Sequence, residues 1–279
     1  MLITDAQVHI WAADTPERPW PGNRSHAHRP GSFLADELLK EMDSADVARV
    51  IIVPPSWEGD RNDLALEAAR LHRDRFGMMG RLAIERPENR ARLEGWKKQP
   101  GMLGLRFTFG SASQRPWLTD GTADWFWPEA ERLGLPLMMS VPGSLPQVDR
   151  IAERHSGLKL LIDHLGLPQG KKDDEAFVDL PQLLAIASRP NVAVKASALP
   201  SYSSEVYPYR GLHAHIRRVF DAFGPRRMFW GTDLTRLPCT YRQAITLFTE
   251  ELPWLSASDK ELIMGRGVCE WLGWPLPAT

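Results

Sequence analysis

The 279-residue sequence is poor in most features that fix a function at a glance. It holds two cysteines, Cys239 and Cys269, whose separation suits neither a metal clip nor a disulfide framework, so cysteine chemistry does not organise the fold. No run of about 18 apolar residues could span a bilayer, and no basic segment leads into an apolar core at the start. The expectation is a soluble, cytoplasmic protein. Net charge is almost absent, with 34 Lys and Arg against 35 Asp and Glu, so no global field recruits nucleic acid or an anionic membrane. A glycine-rich phosphate loop, a dinucleotide fingerprint, an internal repeat and a low-complexity linker are also missing. These absences point to a protein that handles a small molecule.

What the chain does have is a large apolar content, 43%, distributed in a regular alternation. Short β-rich runs occur at 2–10, 47–53, 77–84, 102–109, 135–141, 158–165, 191–199 and 227–234. Between them lie amphipathic stretches with apolar residues at three- and four-residue spacing: 34–45, 61–76, 124–134, 145–155, 179–188 and 213–224. The link after the third run is the weakest helix, and a pair at 240–252 and 256–272 would close an outer ring. Strands alternating with helices imply βαβ units and a parallel sheet. Eight such units predict a single-domain α/β (β/α)8 TIM barrel over residues 1–279, with reactive groups at the carboxyl ends of strands. The longer loops, 11–33, 110–123 and 199–212, would share that face.

A barrel strand is almost continuously apolar, so polar residues at its carboxyl end require a reason. Five runs carry them: Gln7 and His9, Arg106 and Thr108, Asp163 and His164, Lys195 and Ser197, and Asp233. Residues two apart share a strand face, which pairs Gln7 with His9, Arg106 with Thr108 and Lys195 with Ser197. Closure of the barrel would gather them at one mouth. His213 and His215 lie two apart on a predicted helix and do not share a face. His26 and His28 belong to the first loop and read as solvated.

In the order and spacing of "DAQVHIW", "GLRFTFG", "LLIDHLG", "VAVKASAL", "FGPRRMFWGTD" and "IMGRG", the chain resembles the amidohydrolase superfamily. The similarity is to the amidohydrolase-related branch that holds sugar-lactone, pyrone-dicarboxylate and muconolactone-type hydrolases, with nonoxidative aromatic decarboxylases as relatives. That family usually opens with D-x-H-x-H, takes a histidine from strand 6 and an aspartate from the last strand. His9, His164 and Asp233 match these positions, whereas Gln7 stands where the first histidine is usual and Gly267 where many relatives have asparagine.

The resemblance implies a divalent metal, zinc or manganese, held by His9, His164 and Asp233, with Gln7 a weak fourth ligand or a hydrogen-bond donor to substrate. Imidazole binds zinc better than a neutral amide oxygen, so Gln7 leaves metal-free catalysis open. The expected reaction is hydrolysis of a lactone or related cyclic ester, with Asp233 as general base and His9 and His164 at the carbonyl oxygen. Arg106 is the residue to hold a substrate carboxylate, Lys195 and Arg236 add positive charge, and Gln7, Trp11, Thr108 and Ser197 complete the expected substrate contacts. The substrate is then a carboxylated or polyoxygenated small molecule, and a homodimer is plausible for a barrel of this size. Two alternatives remain: a decarboxylase acting on an aromatic or unsaturated acid, and an inactive barrel kept for binding.

Overall fold

The apolar runs become strands that are buried on both faces, as a parallel sheet wrapped in helices requires. The computed structural model describes residues 1–20 and 29–277. The strands are β1 (Thr4–Val8), β2 (Arg49–Ile52), β3 (Phe76–Gly80), β4 (Met102–Thr108), β5 (Leu137–Ser140), β6 (Leu160–Ile162), β7 (Val192–Ser197) and β8 (Met228–Gly231). They stand side by side in chain order, and every hydrogen-bonded neighbour is parallel. The predicted (β/α)8 barrel is therefore the fold.

Two apolar layers hold it. Met79, Met138, Leu161, Ala193 and Phe229 fill the barrel interior, and Val268, Cys269, Leu272 and Trp274 cap that cluster. A larger layer separates the strands from the helices, among them Ala35–Ser44, Leu145–Arg154 and Arg210–Phe223. The β8–β1 seam is joined by polar groups: Asp233 N–H donates to Gln7 O at 2.9 Å, and Thr232 N–H to the Asp5 carboxylate at 2.9 Å.

Three local expectations differ from the structure. The link at 85–101 holds a single turn of α-helix, Arg90–Leu93, between two 3-10 turns, and Trp96 is buried with its indole N–H donated to Gly104 O at 3.0 Å, which draws the chain inward. The predicted helix at 256–272 is three pieces, Ala257–Glu261, a wide turn at Leu262–Arg266 and Gly267–Leu272. At Gly265 a Cβ would lie 2.4 Å from Leu2 O, so the chain touches the start of β1 backbone to backbone. Strand 6 stops at Ile162, and "DHLG" forms a tight turn in which His164 has φ 50° and Leu165 φ 56°. His26 and His28 lie outside the described residues.

Candidate active site

Gln7 and His9, two apart at the end of β1, face the cavity, whereas Asp5, set off from them by an irregularity in the β1–β2 register, meets Tyr241 of an outer helix. Asp5 is fully buried and receives the N–H groups of Gln7 (3.0 Å) and Thr232 (2.9 Å), the Thr232 hydroxyl and the Tyr241 hydroxyl (2.8 Å). Burial nevertheless raises its pKa to about 6, since these donors only partly replace water. Its role is to clamp the exit of β8 to β1 and so fix Asp233. That residue turns with φ 52° and ψ 49°, a left-handed conformation that aspartate tolerates better than most residues.

The Gln7 amide is oriented from both ends. Lys195 Nζ donates to Oε1, so the amide nitrogen must face His164, and Nε2 donates to His164 Nε2 at 3.2 Å. Lys195, with no exposed surface, also pairs with Asp163 Oδ1 at 2.8 Å, while Arg106 Nε donates to Asp163 Oδ2 at 3.0 Å. Burial would raise the Asp163 pKa, but the Lys195 and Arg106 charges outweigh it and hold the carboxyl at about 2.

Burial lowers His164 to about 4, and the carboxylates of Asp233 and Asp163 offset this only in part. His164 is thus neutral near pH 7. With Nε2 accepting from Gln7, Nδ1–H donates to Ser197 Oγ at 2.8 Å. His9 is fixed in the opposite sense: Nδ1 lies 2.6 Å from Val53 O, which can only accept, and Nε2 faces Asp233 Oδ1 at 3.3 Å. Asp233 Oδ2 lies 3.8 Å from His164 Nε2 and 3.5 Å from Arg236 Nε.

These groups open into two adjoining cavities. An inner one of about 50 Å³ is lined by Gln7, His9, His164, Asp233 and Arg236, and an outer one of about 400 Å³ by Trp57, Trp117, Ser111 and Gln114. Trp57, Arg81, Arg106 and Thr108 line both. Arg81 follows β3 directly, and its backbone is pinned by Asn62, whose Oδ1 accepts from Arg81 N at 2.7 Å. It is the residue that sequence reasoning missed. The signal was present, a cation ending the apolar run "GMMG", the same kind of strand end that singled out the other five.

Seven of the residues expected at the site, Gln7, His9, Arg106, Thr108, His164, Asp233 and Arg236, line the inner cavity. Three others are placed elsewhere. Trp11 is wholly buried, packed against Phe33 and Trp57, with its indole N–H donated to Gly31 O at 2.9 Å. Lys195 and Ser197 are also fully buried, behind Gln7 and His164. Their hydrogen bonds orient those two side chains, and neither lines the two cavities.

The expected metal set of His9, His164 and Asp233 can be tested against this geometry. His9 Nε2 and Asp233 Oδ1 are close enough to share a cation, but the Gln7 N–H already points at His164 Nε2. Lys195, Arg106, Arg81 and Arg236 surround just two carboxylates, Asp163 and Asp233, at the same place. Among the described residues no group of three His, Cys, Asp or Glu side chains is arranged to hold a metal ion. The donor set does not fit a divalent cation, and a cation-rich mouth fits an anion instead.

Fold and site together define a (β/α)8 barrel with a titratable cluster at the carboxyl ends of its strands, the usual position of a catalytic centre in this architecture. The chain belongs to the amidohydrolase family, whose profile matches residues 4–267. It is similar to an L-fucono-1,5-lactonase of Burkholderia multivorans, 25% identical over 99% of this chain and 98% of that one. Among solved structures it is similar to an amidohydrolase of Burkholderia multivorans with bound zinc, at 21% identity, TM-score 0.81, and coverage of 99% and 100%. A probable 2-pyrone-4,6-dicarboxylic acid hydrolase of Acinetobacter baumannii with citric acid bound matches at 17% identity, TM-score 0.74, and coverage of 98% and 100%.

Proposed function

We propose that this protein hydrolyses the ring ester of an anionic or polyoxygenated lactone, with Asp233 as general base. The observation that carries the reading is the His9–Asp233 pair, 3.3 Å apart at the floor of the inner cavity. His9 Nδ1–H is committed to Val53 O, so Nε2 is the ring atom that faces Asp233 Oδ1. A carboxylate so placed can take a proton from water at the cavity. The lactonase names among the relatives support the reaction class, and the cations at the mouth support an anionic substrate.

The steps follow from the residues. Water attacks the lactone carbonyl carbon as Asp233 accepts its proton. Negative charge develops on the carbonyl oxygen, where the second amide hydrogen of Gln7 and the Arg236 guanidinium can donate. Lys195, bound to Gln7 Oε1, polarises that amide and strengthens its N–H as a donor. Collapse of the tetrahedral adduct breaks the ring C–O bond, and Asp233 returns the proton to the departing oxygen. The product is an open-chain hydroxy acid.

The test is a panel of lactones and hydroxybenzoates offered to the purified protein, before and after dialysis against a chelator. Ring opening that survives chelation is the expected result. Carbon dioxide release from the hydroxybenzoates with no ester cleavage would replace hydrolysis by decarboxylation.

A further inference from the structure

The proposed lactonase reading leaves one group without a task. The Arg81 guanidinium is 4% exposed and bonds only neutral acceptors: Nε donates to Pro54 O at 2.6 Å and Nη1 to Thr108 Oγ1 at 3.1 Å. Its Nη2 is shielded from solvent yet meets no acceptor among the described residues. Leaving a buried charged donor unsatisfied is expensive, which makes such a group a candidate for a ligand contact.

Its neighbour sharpens the point. Arg106 Nη1 donates to the same Thr108 oxygen, so one hydroxyl accepts from two guanidinium groups and both of its lone pairs are occupied. Arg106 has Asp163 as counter-charge, but Asp163 also serves Lys195. Burial lowers the Arg81 pKa well below its ordinary value and repulsion from Arg106 adds to this, with the Asp163 carboxylate offsetting only part. Two buried like charges side by side are held at a cost that an anion between them would reverse.

We propose that Arg81 and Arg106 form a carboxylate-binding subsite at the junction of the two cavities, and that the substrate is a lactone carrying a free carboxylate outside its ring. The ring ester lies over Asp233 in the inner cavity, while the carboxylate is held at the β3–β4 side. The rest of the molecule extends into the outer cavity between Trp57 and Trp117. Arg81 is the specificity-determining member, since Arg106 is already engaged by Asp163. The fixed backbone at Arg81, held by Asn62, suits a rigid two-oxygen contact.

The proposal rests on the lactonase reading for its substrate but not for its subsite, and two measurements separate them. The first is the ratio of kcat/KM for glucarolactone, which keeps a free carboxylate, to that for gluconolactone, which has none. The second is calorimetric binding of glutarate, which has carboxylates and no ester. In Arg81→Gln the ratio should fall about tenfold to a hundredfold, the loss of one charge-assisted contact, and glutarate binding should weaken by a similar factor. Arg81→Lys keeps the charge but loses the fork, and should fall between the two; it decides the matter should the Gln variant not fold. A ratio and a glutarate affinity within twofold of the parent in these variants would overturn the subsite while leaving lactone hydrolysis standing. Arg81-dependent glutarate binding without ring opening would do the reverse.

Discussion

Replacing Asp233 by asparagine removes the proposed base and its charge beside His9 and Arg236 while keeping the backbone turn that places it. Its N–H donates to Gln7 O, and its left-handed φ of 52° is a conformation asparagine adopts as readily as aspartate. The folded structure should therefore survive. The amide cannot take a proton from water, and a positioned general base contributes about 10²- to 10⁴-fold, or roughly 3 to 5 kcal/mol of barrier. The expected kcat falls by that factor, with a smaller change in KM. Asp233→Ala should lose activity to the same extent and, in addition, be less stable by about 1 kcal/mol, since alanine is strained in the left-handed region. The assay is proton release from a hydrolysed lactone, read with an indicator dye, beside circular-dichroism melts of all three proteins. A folded Asp233→Asn protein that turns over within a few-fold of the parent would refute the assignment of the base.

Lys195→Met leaves Asp163 buried with one cation fewer and frees the Gln7 amide. Breaking a buried pair from one side should cost about 3–5 kcal/mol, and a urea-unfolding loss below 1 kcal/mol would contradict the network. His164, held near 4 by burial, makes stability depend on pH: below 6.5 the unfolded chain binds a proton that the folded one refuses. Stability present above pH 6.5 is lost as pH falls toward 4, on the order of 3 kcal/mol. Asp5, raised to about 6, acts in the opposite sense, so the contribution is read as the difference between the parent and His164→Gln. Identical pH slopes for the two would show that His164 is not held neutral. Gly104→Ala would put a Cβ 2.2 Å from Pro136 O on the neighbouring chain segment. That overlap with backbone should destabilise by about 1–3 kcal/mol, and an unchanged melting temperature would show the β4–β5 approach to be looser than described.

Periodicity alone determined the barrel. Eight apolar runs separated by helical spacing leave few other ways to bury both faces of a parallel sheet, and the strands formed where those runs lie. Alternation within a strand also determined that Gln7 and His9 share a face, and that polar strand ends such as Arg106 and Asp233 belong at the mouth. Depth along a strand was not legible. Lys195 and Ser197 carry the same pattern as Arg106 and Thr108, yet they stop one layer below the cavity, because depth depends on barrel stagger and on turns such as the left-handed one at His164.

Only the tertiary structure decided how Gln7 is used. Its amide orientation is fixed by Lys195, 188 residues away, and its N–H faces a histidine 157 residues away. Likewise, the pairing of Arg81 with Arg106 across Thr108 joins the ends of two strands whose sequence positions say nothing of a shared oxygen. Local sequence sets which way a side chain points, whereas charge partners are chosen by closure of the sheet, and at this site the partners set the chemistry.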